Sequence, residues 1–259
     1  MTVLYWNICG KGNMPLVLLH GWGMNAEVWQ GVVSLLSPHF CLHLVDLPGY
    51  GRSQQVGALS LVETAQYLLP YLPPHALLLG WSLGGLVATE LALCAPQQIR
   101  GLISVASSPC FTARNTWPGI KPNTLEIFRT QLSNDFYRTI ERFLVLQTLG
   151  TDSAREDTRI LKEVVRVQPM LSVEVLEGGL AILRDVDLRD RLPQITVPFL
   201  RLYGALDSLV PRRIAAQLDA VLTTSPPSIM MEKAAHAPFI SHPDVFVKHI
   251  LNFHKQLCS

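Results

Sequence analysis

The sequence predicts an α/β fold, with a mostly parallel central sheet flanked by helices and a four-helix cap inserted into it. Three observations predict it. Short apolar runs alternate with helix-like stretches over roughly the first hundred residues. A glycine-rich turn at Gly80–Gly85 joins one apolar run directly to a helix. The alternation stops near Phe111 and resumes only after Asp185.

In chain order, Leu16–Leu19 (LVLL) reads as a buried strand ending at His20-Gly21-Trp22-Gly23, and Phe40–Val45 as a second ending at DLPGYGRS. Leu59–Leu69 reads as a helix. Ser60 stands at its start with Glu63 three residues on, the spacing of a capping box. Ala76–Leu79 is a strand, Leu86–Leu93 a helix and Ile99–Ala106 the next strand. Apolar strands between helices imply a parallel sheet buried on both faces. From Phe111 to Asp185 only helical patterns appear, at about 123–132, 135–149, 154–167 and 173–183, with Pro122, Asn134, Ser153 and Ser172 at or next to their starts. Phe199–Tyr203 and Ser228–Met231 then resume the sheet, and a helix runs on from about Pro243. The expected organisation is a core over 1–110, a helical insertion over 111–185 and the rest of the core over 186–259.

Composition narrows the class. The chain has 259 residues, 49% of them hydrophobic, which supports one large core plus a modest insertion. A formal net charge of +1 gives no global attraction to nucleic acid or membrane, so a charged partner must be read by a local patch. Five scattered cysteines without a C-x-x-C pair argue against a disulfide framework or a zinc site and suit a reducing compartment. The N-terminus lacks a signal-peptide pattern and no segment is apolar for long enough to span a bilayer. The expectation is a cytoplasmic monomer.

Gly80-Trp81-Ser82-Leu83-Gly84 carries the chemistry. A G-x-S-x-G pentapeptide alone occurs by chance, but here a strand precedes it, a helix follows it, and Gly85 extends it. That is the context of a nucleophile elbow, which lifts the serine clear of the sheet at a helix N-terminus. A serine hydroxyl needs a base. Of the four histidines after Ser82, only His236 directly follows a strand, in the small-residue loop KAAHAPF; His242 precedes Pro243, while His249 and His254 lie on the last helix. The orienting acid is assigned to Asp207, on the loop after FLRLYG. The competing reading makes it a loop aspartate that only caps the next helix. Asp185, Asp187 and Asp190 lie nearer the junction of insertion and core, and Asp219 in a helix. The amides of Leu83 and Trp22 are the expected oxyanion donors. DLPGYGRS reads as a structural turn, since its two glycines come without the lysine of a phosphate loop.

The insertion carries a second pattern. At about 100° per residue, with Arg155 at zero, Arg159 lies near 40°, Lys162 near 340° and Arg166 near 20°. Ile160, Leu161 and Val164 face the other way. On the preceding helix Phe136, Ile140, Phe143 and Gln147 share a face opposite Arg138 and Arg142. A single-sign stripe suggests an acidic partner. Glu156, Asp157 and Glu163 on the same helix leave an ordinary solvated face as the competing reading.

These residues resemble the pimeloyl-acyl carrier protein methyl ester esterases of biotin synthesis, carboxylesterases of the α/β-hydrolase fold. The likeness covers nearly the whole chain, through LVLLHGWGMNAEVW, VDLPGYGRS, GWSLGGLVA, VASSPCF, WPGIKP, ERFLVLQTLGT, FLRLYGALDSLVPR and KAAHAPFISHP. HGWG and GWSLGG are common to many esterases, whereas WPGIKP and VASSPCF are particular. Leu222–Lys233 and the tail from Lys255 depart from the family's pattern. The resemblance implies a triad of Ser82, Asp207 and His236, and substrate contacts at Trp22, Ser82, Leu83, Phe143, Leu144, Val145, Leu146, Gln147 and His236. It places carrier-docking arginines at Arg138, Arg142, Arg155 and Arg159, and it calls for no cofactor or metal. The partner would be acyl carrier protein bearing the pimeloyl methyl ester. The alternatives are a broad short-chain carboxylesterase indifferent to a carrier, and a non-catalytic binding protein on the same fold. Dehalogenase and epoxide hydrolase readings require aspartate where Ser82 stands.

Overall fold

The computed structural model describes residues 4–168 and 171–258, apart from the side chain of Phe136. Seven strands form one sheet: β1 Trp6–Cys9, β2 Met14–Leu19, β3 Phe40–Val45, β4 Ala76–Trp81, β5 Ile99–Val105, β6 Phe199–Gly204 and β7 Ile229–Met231. Their order is β1-β3-β2-β4-β5-β6-β7, with β1 antiparallel to β3 and every other pair parallel. β4 (ALLLGW) and β6 (FLRLYG) are buried at every position, as strands covered on both faces must be.

Around the sheet and between its strands run α1 Gln30–Leu36, α2 Leu61–Leu68 and α3 Leu83–Cys94. Between β5 and β6 the chain forms the four cap helices α4 Pro122–Asn134, α5 Phe136–Thr148, α6 Ala154–Arg166 and α7 Val173–Asp185. After β6 come α8 Arg213–Val221, α9 Pro238–Ser241 and α10 Pro243–Cys258. The first ten residues of α3 are all buried. Its sequence, LGGLVATELALC, is apolar nearly all round, as a helix enclosed on every side requires. α2 starts on the capping box expected of it: the Ser60 hydroxyl accepts from the Glu63 amide, and the Glu63 carboxylate from the Ser60 amide.

The structure adds elements the patterning did not reveal. β1 is a four-residue edge strand with Asn7 and Ile8 exposed, so it carries neither a buried run nor a clean alternation. It is held by its register on β3, from Trp6 opposite Val45 to Cys9 opposite Leu42. α1 is only two turns long, too short for a 3.6-residue period to declare itself. The helix after β4 starts at Leu83 rather than Leu86, because the turn at Ser82 takes a single residue. α5 is capped by Asp135, whose carboxylate accepts from the Arg138 amide, and not by Asn134. Among the described residues no helix is long and apolar enough to cross a membrane.

Candidate active site

β4 delivers Ser82 at the carboxyl end of the sheet, in a backbone conformation that L-residues rarely adopt (φ 54°, ψ −118°). Two features hold it there. The Ser82 amide donates to the Val105 carbonyl (2.9 Å), and the Ser82 carbonyl accepts from the Gly85 amide (2.9 Å) and the Ser107 hydroxyl (2.8 Å). The flanking glycines let chains meet. A Cβ on Gly80 would run into the Gly84 carbonyl, and one on Gly84 into the Leu19 carbonyl. Local strain of this kind persists where surrounding bonds over-determine it.

His236 is 1% exposed and fixed from three sides. Its Nδ1 lies 2.7 Å from Asp207 Oδ2, its amide donates to the Gln147 carbonyl of α5 (3.0 Å), and its carbonyl accepts from Trp81 Nε1 (2.7 Å). Asp207 Oδ1 accepts from the amides of Leu209 (2.8 Å) and Val210 (3.0 Å). Asp207 thus does both things that sequence left open: it caps the following turn with one oxygen and meets the imidazole with the other. A carboxylate opposite Nδ1 places the ring proton there, so Nε2 keeps its lone pair. Nε2 is buried and has no partner among the described residues. The Ser82–His236 hydrogen bond itself is not formed. Such bonds are often long before substrate arrives. The histidine loop is nonetheless joined to the elbow through Trp81, the residue before Ser82, whose ring centroid lies 5.7 Å from that of His236.

The loop after β2 lies against the elbow, since β2 and β4 are neighbours with Leu19 opposite Gly80. A Cβ on Gly21 would lie 3.3 Å from the Ser82 Cβ. Neither the Trp22 amide nor the Leu83 amide donates to a protein acceptor among the described residues. Leu83 is the first residue of α3, where amides are left unpaired and the helix end is partially positive. His20 shapes the loop: it is fully buried, with Nδ1 2.8 Å from the Gly21 carbonyl and Nε2 accepting from the Leu47 amide (3.0 Å). Burial lowers its pKa to about 4, so the ring is neutral and can bond both ways. Sequence gave no role to His20, Trp81 or Ser208, because each acts through the backbone of a residue distant in the chain.

DLPGYGRS behaves as the structural turn expected of it. Asp46 is buried and accepts from the Ala26 amide and from the Arg52 amide and guanidinium. Burial pushes its carboxyl up, but the Arg52 hydrogen bonds hold it below the usual carboxylate range.

Four of the hydrogen bonds between cap and core join α5, α6 and α7 to the loops that frame the site. Trp22 Nε1 donates to the Leu176 carbonyl of α7 (2.9 Å), and Asn25 Nδ2 to the Val164 carbonyl of α6 (2.9 Å). The His236 amide and the Ser208 hydroxyl (3.2 Å) donate to the Gln147 and Leu146 carbonyls of α5. Phe143 packs on Trp22 edge-to-face, with centroids 4.7 Å apart. Phe143, Leu144 and Gln147 are buried and Leu146 half-buried, while Val145 is exposed on the outer side of α5. Gln147 Oε1 is buried without a partner among the described residues. A cavity of about 380 Å³ opens beside this seam, bounded by Gly23, Met24, Ile140, Leu144, Lys162 and Arg166; neither Ser82 nor His236 lines it. Among the described residues no three His, Cys, Asp or Glu side chains gather as a metal would need.

Arg138, Arg142, Arg155 and Arg159 are all exposed. Arg159 is occupied by Glu156 (2.5 Å) and Glu163 (2.6 Å) on its own helix, and Lys162 by Glu141 of α5 (2.9 Å). Arg142 donates to the neutral Gln131 side chain (3.2 Å). Arg138, Arg155 and Arg166 make no salt bridge among the described residues. The single-sign stripe is therefore neutralised at its centre and open at its ends.

Residues 14–243 match the model of the alpha/beta hydrolase fold family. The chain is similar to the pimeloyl-[acyl-carrier protein] methyl ester esterase of Pectobacterium carotovorum, with 61% identity over 253 residues, covering 98% of this chain and 99% of that one. It is 60% identical to the enzyme of the same name from Yersinia pseudotuberculosis, covering 98% of each. Among solved structures, an esterase from Exiguobacterium antarcticum superposes with a TM-score of 0.87 at 23% identity, covering 97% of this chain and 95% of that one. An enol-lactonase from Burkholderia xenovorans superposes at 0.84 with 19% identity, covering 97% and 96%. These last two likenesses speak for the fold alone.

Proposed function

The chain belongs to the pimeloyl-[acyl-carrier protein] methyl ester esterases of the α/β-hydrolase fold, and we propose that it works through Ser82, His236 and Asp207. It is a carboxylic ester hydrolase that converts the pimeloyl-carrier methyl ester to pimeloyl-carrier protein and methanol. The resemblance puts this step in biotin synthesis. The observation that carries the residue assignment is the buried Asp207–His236 pair, with Nε2 unpartnered among the described residues and the His236 carbonyl tied to Trp81, the residue before the strained elbow serine.

His236 Nε2 takes the Ser82 proton as Oγ attacks the ester carbonyl. The Trp22 and Leu83 amides hold the oxyanion, each worth about 3 kcal/mol by the usual cost of removing such a donor. The C–OCH3 bond then breaks, and His236 passes its proton to the departing methoxide, giving methanol and an acyl-serine. Water, deprotonated by His236, attacks the acyl-serine. Ser82 recovers its proton, and the free carboxylate leaves on the carrier. Asp207 holds the tautomer and balances the imidazolium charge. The methylene chain lies under the apolar side of α5, against Phe143 and Leu144, and the carrier rests on the exposed arginines, with Arg138 and Arg155 free to meet carboxylates or a phosphodiester.

Methanol release from pimeloyl-carrier methyl ester tests the reading. Ser82→Ala is expected to lower kcat by about 10⁶-fold, and retained turnover overturns the assignment. Charge reversal at Arg138 and Arg155 is expected to raise KM for the carrier-bound ester and spare a p-nitrophenyl ester. Equal effects on both would favour a broad esterase.

A further inference from the structure

We propose that the outer face of α5 and the loop bearing Asp207 form one docking surface for the carrier, cationic at one end and apolar at the other. The inference rests on the carrier being the partner and goes beyond it in naming an apolar half. At about 100° per residue, with Arg138 at zero, Arg142 lies near 40°, Val145 near 340° and Leu149 near 20°. Two cations and two apolar side chains thus follow one another along a single stripe. The side chains of that stripe are exposed, Val145 by 44% and Leu149 by 52%.

The stripe continues onto the core. Gly150 follows Leu149, and a Cβ there would lie 3.7 Å from the Leu206 Cβ. Leu206 is itself 40% exposed, and Ser208, two residues on, is bonded to the Leu146 carbonyl. Val145 and Leu149 on the cap side and Leu206 on the core side therefore flank the seam where the end of α5 meets the loop that carries Asp207.

Single exposed apolar residues are ordinary. Three that flank one seam between cap and core, two of them in line with two cations, are not. The charges at the cationic end are uncompensated. Arg138 makes no salt bridge among the described residues, Arg142 meets only an amide, and Glu141 on the same helix is taken up by Lys162. The occupant that fits is an acidic surface helix that carries apolar residues beyond its carboxylates, because such a helix satisfies both ends at once. A purely acidic partner would leave the three apolar side chains wet, and a purely apolar one would strand the arginines. This gives Val145 an outward task within a stretch whose buried members, Phe143, Leu144 and Gln147, turn inward.

Leu149→Glu and Leu206→Glu test the proposal, since both put a carboxylate where an acidic partner must sit. Each is assayed on the carrier-linked methyl ester, on the same acyl methyl ester carried by free pantetheine, and on p-nitrophenyl acetate, with Arg138→Glu in parallel. The expected result is a fall of about tenfold or more in kcat/KM for the carrier-linked ester alone. The milder Leu149→Ala should show a smaller selective loss that persists at about 0.5 M salt, where surface charge is screened. A similar fall on all three substrates assigns the residues to the core's integrity and overturns the proposal. Unchanged carrier kinetics with a selective Arg138→Glu defect overturns the apolar half only. Unchanged kinetics in all of these variants removes the carrier reading with it.

Discussion

Replacing Asp207 by asparagine is the most informative change at this site, because the structure dictates which way the amide must point. Oδ1 accepts from two backbone amides, at 2.8 and 3.0 Å. An NH2 group there would set donor against two donors, at a cost of a few kcal/mol. The asparagine therefore keeps its carbonyl on Leu209 and Val210 and presents NH2 to His236 Nδ1, 2.7 Å away. Nδ1 must then accept, the ring proton moves to Nε2, and Nε2 can no longer take a proton from Ser82. The expected loss in kcat is about 10⁴-fold, or roughly 5 kcal/mol of transition-state stabilisation, with little change in KM. Asp207→Ala leaves the imidazole free to take either tautomer, so asparagine, the closer isostere, should be no more active than alanine. Steady-state methanol release with both variants checks this, together with the rate of Ser82 labelling by a fluorophosphonate and a melting curve to show that each variant is folded. A loss of less than about tenfold in Asp207→Asn, or an asparagine variant clearly more active than the alanine one, would refute the tautomer argument.

Two further predictions concern stability. His20 has its pKa lowered by burial to about 4, against an ordinary value of 6.5. The unfolded chain thus binds the proton first: stability is full above pH 6.5 and declines as pH falls towards 4, by about 3 kcal/mol at most from this group. Denaturant titrations across that window should show His20→Gln with a pH dependence shallower by close to one proton, and an unaltered slope would refute the linkage. Gly179 faces Trp22 so closely that an added Cβ would lie 2.5 Å from Trp22 Cδ1 and run into the Tyr50 hydroxyl. Gly179→Ala should therefore lower stability by roughly 1–3 kcal/mol in spite of the better helix propensity of alanine, and reduce kcat by moving the Trp22 amide. A rise in melting temperature would show that α7 shifts freely.

Much of this molecule was legible in the residues, for identifiable reasons. β4 and the helix after it are long apolar runs joined by glycines, and nothing else permits so tight a turn. The Ser60–Glu63 box and the four cap helices follow from local spacing alone. The chain could not announce β1, whose identity lies in its pairing with β3, or the roles of Trp81 and Ser208, which donate to backbone carbonyls of residues remote in sequence. Helical angle placed the arginines of α6 correctly on one side. Angle alone could not choose between a docking stripe and the solvated face that Glu156 and Glu163 also allowed; three residues before and four after Arg159, they are close enough to absorb its charge, and they do. The same angular reading applied to α5 would have turned Val145 outward. The family likeness treats 143–147 as one block, whereas a helix cannot point five consecutive side chains the same way.

The hydrogen bonds that Trp22, Asn25, His236 and Ser208 make to the roof set a limit on how it can move. At about 1 kcal/mol each, releasing these four costs around 4 kcal/mol before any packing is lost, which keeps a lifted state below about one molecule in a thousand. Lifting also withdraws the Gln147 carbonyl from the His236 amide, so His236 loses an anchor whenever the lid rises. Anyone transplanting this lid onto another scaffold must carry the last turn of α5 in register: trimming one residue rotates its carbonyls by about 100° and leaves the recipient's histidine loop without its latch.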